Sequence, residues 1–289
     1  LGDSLMDLSS RALLKDKKVD LFTDKKNSEI YLDDKLFQKV FNNIKDISGL
    51  NYDLVIMDSY SSRTVKVKSK VAPQVNFVGM YGYFNGPEVN RVLFSYHQMN
   101  NLLGYIYTEE EINKKAKHHI FISEQDKKIV SNIIPKKYIA IAIGGEWEYK
   151  TYSNWAEVIK KIYLDDQNIN IVLVGSENAI QIARELVEKF SNKRILNFVA
   201  RLSFKQTTEV IKNSDVLLCC DGGLMHAAAA VNAKLIPLLA RLPLNMLMTH
   251  NVITYDLYNR TNVNNIKSNE VYQKYSQFLN SFDNHHLDV

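Results

Sequence analysis

Apolar and polar positions follow two regimes along the chain. From residue 138 onward, short unbroken apolar runs alternate with segments of helical period. Tyr138 to Ile143, Ile169 to Val174, Ile195 to Val199, Asp215 to Cys220 and Leu235 to Leu239 read as strands. Between them, Trp155, Val158, Ile159 and Ile162 share one helical face, and Ile180, Ala183, Val187 and Phe190 share another. Leu224 to Val231 predicts a further helix, and a short one starts where Ser203 precedes Gln206 by three residues, the spacing of a capping box. Strands that read as continuous apolar runs are covered on both faces, so this half predicts a parallel, doubly wound sheet. Pro237 lacks an N–H, which places its strand at an edge or ends it there. Val271, Tyr275, Phe278 and Phe282 predict an amphipathic terminal helix.

The first half is α/β with a less regular pattern. Leu5, Leu8, Ala12 and Leu13 predict a helix over residues 4–14, and strand character recurs at Val19 to Thr23, Leu54 to Met57, Val75 to Met80 and His119 to Ile122. Pro135, Lys136 and Lys137 interrupt the chain before its clearest strand, so a domain boundary is expected near residues 130–137. The expected division is 1–135, 136–266, and a terminal helix and tail over 267–289. Arg63, Lys66, Lys68 and Lys70 alternate with Thr64, Val65, Val67 and Ser69 and have no acidic neighbour between them. That alternation reads as a strand face or basic loop, either solvated or turned to an anionic surface.

With 46% apolar and 24% charged residues over 289 positions, the chain has the composition of a folded protein, not of a collagen-like or disordered one. A net charge of +4 admits anionic ligands but lacks the concentrated excess of a nucleic-acid binder, so no nucleic-acid partner is expected. No run reaches the roughly 18 apolar residues of a membrane span. No signal peptide is visible, and the chain enters a helical pattern at once from Leu1. The adjacent Cys219 and Cys220 read as small core residues of a reduced cytoplasmic protein; with no CxxC or HExxH spacing, no metal site is expected. His118-His119 and His285-His286 read as surface or tail residues.

Open parallel sheets bind ligands beyond the carboxyl ends of their strands. Three such ends carry candidate chemistry. Asp221-Gly222-Gly223-Leu224-Met225-His226 follows Cys220, where two glycines free the backbone at a helix start that favours phosphate. Gly144-Gly145 follows Ile143, with Lys150 close behind. Gly175-Ser176-Glu177 follows Val174 and offers an acceptor to a ribose hydroxyl. None is a Walker loop or a GxGxxG fingerprint.

On these residues the stretch from Ile141 to Leu239 resembles the carboxyl-terminal half of glycosyltransferase family 9, the heptosyltransferases of lipopolysaccharide assembly. That family has a strand ending in a Gly-containing loop, then Lys-x-Trp-Pro opening a helix. It also has a strand ending in Gly before an acidic residue, and Asp-(Ser/Thr)-Gly-x-x-His before an Ala-rich helix. Gly144-Gly145, Lys150 to Ser153 before Trp155, Gly175 with Glu177, and Asp221 to His226 before Ala227 to Ala230 correspond. At the amino end, Gly2-Asp3-Ser4-Leu5 resembles the family's Gly-Asp-x-Leu, whose Asp is its catalytic base. The departures are Gly222 in place of Ser or Thr, which removes a hydroxyl from the donor site, Tyr152-Ser153 in place of Trp-Pro, and Ala240-Arg241-Leu242 in place of a Gly-Pro-Thr loop.

The resemblance implies a GT-B architecture: two Rossmann-like doubly wound domains facing a central cleft, the acceptor on the first and the nucleotide sugar on the second. Such a first domain opens with a strand ahead of Gly2-Asp3, so that strand is expected to be missing from this chain. The implied activity is inverting transfer of heptose from ADP-heptose to a lipopolysaccharide core or lipid-linked saccharide acceptor, in the cytoplasm and peripherally at the inner membrane, with no cofactor or metal. Asp3 would be the base, with Lys150 and the amides of Gly222 to Leu224 on the diphosphate. Gly144, Gly145, Glu177, Asp221 and His226 would complete the donor site, and Arg63, Lys66, Lys68 and Lys70 would meet the acceptor or membrane. The alternatives are the same fold with another nucleotide sugar, such as a hexose donor, and an inactive binding or scaffold relative.

Overall fold

The computed structural model describes residues 1–58, 61–79, 90–191 and 194–283. The first half contains α1 (Gly2–Asp7), β1 (Val19–Phe22), β2 (Phe37–Phe41), α2 (Ile44–Ile47), β3 (Val55–Met57) and α3 (Ser62–Val71). It continues with β4 (Phe77–Gly79), α4 (Arg91–Leu102), α5 (Glu109–Lys115) and α6 (Glu124–Ile133). Met80 and His285-His286 lie outside the described residues, as does the side chain of Phe282.

In the second half, β5 (Ile139–Ala142), α7 (Trp155–Asp165), β6 (Ile171–Val174), α8 (Ile180–Phe190) and β7 (Ile195–Asn197) alternate. They are followed by α9 (Phe204–Lys212), β8 (Leu217–Cys220), α10 (Gly223–Ala230), β9 (Leu235–Ala240), α11 (Leu244–Leu247), β10 (Leu257–Asn259) and α12 (Ser268–Asp283). The six strands form one sheet in the order β10-β9-β8-β5-β6-β7, with every pairing parallel. Successive residues point to opposite faces, and each face has its own apolar layer. Ile139, Ile141, Leu173 and Leu218 pack with Trp155, Ile159 and Ile162 of α7 and Val271, Tyr275 and Phe278 of α12. Ala140, Val172, Val174 and Leu217 pack with Val210 of α9 and Met225 and Ala228 of α10. Cys219 and Cys220 divide between the two layers as small buried residues.

Two expectations for this half need correction, and a third holds. β9 lies inside the sheet despite Pro237. Residues 235 and 241 direct their backbone groups toward the β10 side, and so does 237. The missing N–H falls in a gap there, between the single bridge Leu235–Thr254 and the ladder that starts at Leu238. Ile180 is exposed because it opens α8 at the rim. The capping box of α9 forms in full, with Ser203 and Gln206 each accepting the other's backbone N–H at 3.2 Å.

The first half is built from two parallel pairs, β1–β2 and β3–β4, flanking a cavity of about 940 Å³ that Asp3, Tyr31, Arg63 and Lys68 help to line. The predicted helix over 4–14 is α1 followed by a tighter 3₁₀ stretch, Leu8–Leu14. That change of pitch turns Ala12 outward while Leu5, Leu8 and Leu13 stay buried. Residues 63–70 form helix α3, neither strand nor loop: the Ser61 side chain accepts from Thr64 N, and no residue of α3 is buried. His119 to Ile122 is not a strand either. Ile120 and Ile122 leave the first half beneath α1, where they pack with Leu5, Ile30 and Ala227.

No strand pairs across residue 135 among the described residues, yet α6 packs on α9 and Val130 belongs to the second half's core. The halves are also joined by polar contacts. Phe204 N donates to Glu29 Oε1 at 2.9 Å, Lys205 Nζ donates to Leu32 O, and Asn90 Nδ2 donates to Asn245 O and Met248 O. No helix among the described residues is long and apolar enough to cross a membrane.

Candidate active site

The carboxyl edge of the large sheet gathers three turns. After β5, Gly144 adopts φ +86°, a left-handed conformation natural to glycine, and a Cβ there would lie 2.7 Å from Ala179 Cβ. The turn after β6 is tied to it, since Asn178 Nδ2 donates to Gly145 O at 2.7 Å. Glu177 is exposed beside Asn178. After β8, Asp221 is buried and forms an ion pair with Lys150 Nζ. A buried carboxylate is costly without such a partner.

Gly222 precedes α10 with φ 172°, extended backbone that any residue adopts, and a Cβ there would meet nothing within 4 Å. The expected use of this glycine, to free the backbone, is therefore not what the structure shows. What it leaves is open space above the helix start. The N–H groups of Met225 and His226 return to Gly222 O, and those of Gly223 and Leu224 are the donors a helix start presents.

His226 is buried, with Nε2 3.8 Å from Asp221 Oδ1 and Nδ1 2.9 Å from His118 Nε2. Burial, aided by the charges of Lys150 and Arg91, pushes its pKa down to about 3. Burial also holds His118 well below the ordinary histidine range. Both rings are neutral at pH 7, and one shared N–H fixes the tautomer of the other ring. His118 is thus not a surface residue: the segment joining α5 to α6 carries it beneath α10. His119 is half-buried near Asp34. Burial alone would raise the Asp34 carboxyl, but His119, Leu36 N–H and Arg11 together bring it down to about 2.

α1 packs against both α10 and α4. Gly2 makes the approach close, since a Cβ on it would stand 2.7 Å from His226 Cδ2. Asp3 is thereby delivered next to the Asp221–His226 element, with its side chain 69% exposed. Its N-cap neighbour is Leu1, and no side chain caps the helix, so Asp3 is not a cap. Arg91 of α4 grips Asp7 with Nε and Nη2, both at 2.9 Å, and reaches Asp3 Oδ2 with Nη1 at 3.1 Å.

Arg241 follows β9 at φ +67°, with its guanidinium carbon 3.6 Å from the centroid of the Tyr149 ring. Lys150 Nζ lies 5.7 Å from the same centroid. The sequence marks Arg241 only as a departure from a family loop, and nothing in it points to Arg91 or His118 as neighbours of the site. The basic side chains of α3 stand apart from the sheet edge, although Arg63 and Lys68 border the cavity that Asp3 also lines. No group of three or more His, Cys, Asp or Glu among the described residues is placed to hold a metal ion.

A large parallel sheet with a phosphate-type loop at its carboxyl edge, faced by a carboxylate from another α/β half, is the architecture of a GT-B glycosyltransferase. The chain belongs to glycosyltransferase family 9 (heptosyltransferase), whose model matches residues 44–268. It is similar in fold to the glycosyl transferase family 9 protein of Veillonella parvula DSM 2008, with 12% identity, 97% of this chain and 94% of that one covered, and a TM-score of 0.80. It is likewise similar to the E. coli ADP-heptose lps heptosyltransferase II, at 16% identity, 98% and 96% coverage and a TM-score of 0.77. For the E. coli heptosyltransferase WaaC with ADP the values are 16%, 96% and 96%, and 0.71. No curated protein sequence matches the chain.

Proposed function

We propose that this glycosyltransferase moves heptose from ADP-heptose to a lipopolysaccharide core acceptor with inversion, working peripherally at the inner face of the cytoplasmic membrane. The observation that carries the reading is the seating of α1 on α10, which sets Asp3 beside the Asp221–His226 loop. In a single displacement, the acceptor hydroxyl gives its proton to Asp3 as its oxygen bonds the anomeric carbon, and the bond to the diphosphate oxygen breaks. Lys150 and the amides of Gly222 to Leu224 stabilise the charge that develops on the leaving diphosphate. Glu177, on the turn bound to Gly145, is assigned to the ribose in this reading. The basic side chains Arg63, Lys66, Lys68 and Lys70 of α3 serve the anionic acceptor or its membrane.

A thermal-shift panel of ADP-, UDP- and GDP-sugars tests this. A ligand at a hundred times its dissociation constant adds about 2.7 kcal/mol of stability. The largest shift is expected with ADP-heptose. A larger shift with a UDP- or GDP-hexose would replace the donor, and no shift with any sugar nucleotide would favour a binding or scaffold role.

A further inference from the structure

The charges around the donor loop do not favour an anion until Arg241 is counted. Lys150 is paired with Asp221, Arg91 is shared between Asp3 and Asp7, and His226 is a buried neutral ring. These groups together carry no positive excess, whereas a nucleoside diphosphate departs with more than one negative charge. Arg241 forms no ion pair with a carboxylate among the described residues, and it is exposed at the same sheet edge. Register places it there: Cys220 pairs with Leu238, so the turn into Asp221 runs beside Leu239, Ala240 and Arg241.

Its position is fixed from both sides. Arg241 N donates to Asn259 O at 3.4 Å, and Tyr258 Oη donates to Arg241 O at 3.3 Å. The left-handed backbone sends the side chain back over Tyr149, the residue preceding Lys150. One aromatic ring therefore carries two cations, the guanidinium at 3.6 Å and the ammonium at 5.7 Å. An anion held near this ring is attracted by both cations, and by the guanidinium most, since Lys150 is shared with Asp221. A guanidinium lying over a ring leaves its N–H fork available for bidentate contact with phosphate oxygens.

We propose that Arg241, held over Tyr149, is a diphosphate-binding residue of the donor site. This rests on the donor-site reading given above and adds to it the unpaired cation that Lys150 alone does not supply. Arg241 then selects for the diphosphate group and is indifferent to the nucleobase.

Calorimetric titration of the full chain and of its Arg241→Gln and Arg241→Lys variants with ADP, adenosine and inorganic pyrophosphate tests the assignment. In Arg241→Gln, ADP and pyrophosphate should bind about tenfold to a hundredfold more weakly with adenosine unchanged, and Arg241→Lys should recover part of the loss. Equal ADP and pyrophosphate binding by the parent and Arg241→Gln would overturn the assignment and leave the donor reading standing. Arg241-dependent binding of pyrophosphate without ADP binding would support the residue and remove the adenine nucleotide. Equal weakening of adenosine and ADP would make Arg241 a structural residue, and no binding of any probe by the parent would overturn both readings.

Discussion

His118 and His226, 108 residues apart in the chain, stack with ring centroids 5.1 Å apart and share a 2.9 Å hydrogen bond between Nε2 and Nδ1. The pair joins the segment after α5 to the first turns of α10, so the first half holds the Asp221–His226 loop through a contact between two neutral rings. Both pKa values are depressed, that of His226 to about 3. From about pH 6.5 downward the unfolded chain takes up protons at these rings while the folded chain does not, so stability falls as pH falls. Melting temperature should therefore drop steadily from pH 7 toward pH 4, each ring contributing at most about 1.4 kcal/mol per pH unit. Asp34, lowered to about 2, adds acid sensitivity only below about pH 4. A His226→Gln variant should show a shallower dependence between pH 4.5 and 7; a profile parallel to the parent's would remove the pair as the source.

Asp3→Asn separates catalysis from structure. The lost ion pair with Arg91 is solvent-exposed on the Asp3 side and contributes about 1 kcal/mol or less. Folding and nucleotide affinity should remain near normal while turnover falls at least about a hundredfold. Transfer at close to the parent rate would make Asp3 a surface carboxylate and send the search for the base elsewhere in the cleft.

Lys150→Ala should be damaging in two ways. It strands the buried Asp221, which for a broken buried pair costs about 3 to 5 kcal/mol, and it removes the cation proposed to face the leaving diphosphate. Adding Asp221→Asn should restore much of the melting temperature without restoring turnover. Recovery of both together would mean that Lys150 acts only by holding Asp221.

Helix α3 presents Arg63, Lys66 and Lys70 to solvent with Lys68 half-buried. If it meets an anionic acceptor surface, binding to negatively charged vesicles should weaken steeply with salt and be largely lost when all four are changed to Gln. Equal sedimentation of parent and variant with such vesicles would end that role.

The large sheet was legible because its strands are buried on both faces and leave unbroken apolar runs, and Pro237 misled only because the gap in the β10 ladder has no local sequence sign. The three turns of the sheet's carboxyl edge were legible from the same runs, since each follows a strand end. Helix α3 was not: its β-branched residues alternate with basic ones, and a helix that buries no side chain leaves no 3.6-residue apolar stripe to find. His118 was missed for another reason. Its burial comes from α10, which is remote in sequence, and two adjacent histidines in a lysine-bearing stretch carry no mark of that contact. The Arg241–Tyr149 stack likewise exists only once β9 and the turn after β5 lie at one edge.

The closeness of Gly2 to His226 makes residue 2 a gauge for the whole enzyme. A methyl group there would stand 2.7 Å from the imidazole, and the ring cannot retreat, being pinned by His118 on its other nitrogen. The yielding part would be α1, and Asp3 rides on it one residue later. The spacing between the Asp3 carboxylate and the Asp221–His226 loop of the opposite half is thus set by a missing side chain, and one added carbon would shift Asp3 while leaving its chemistry unchanged.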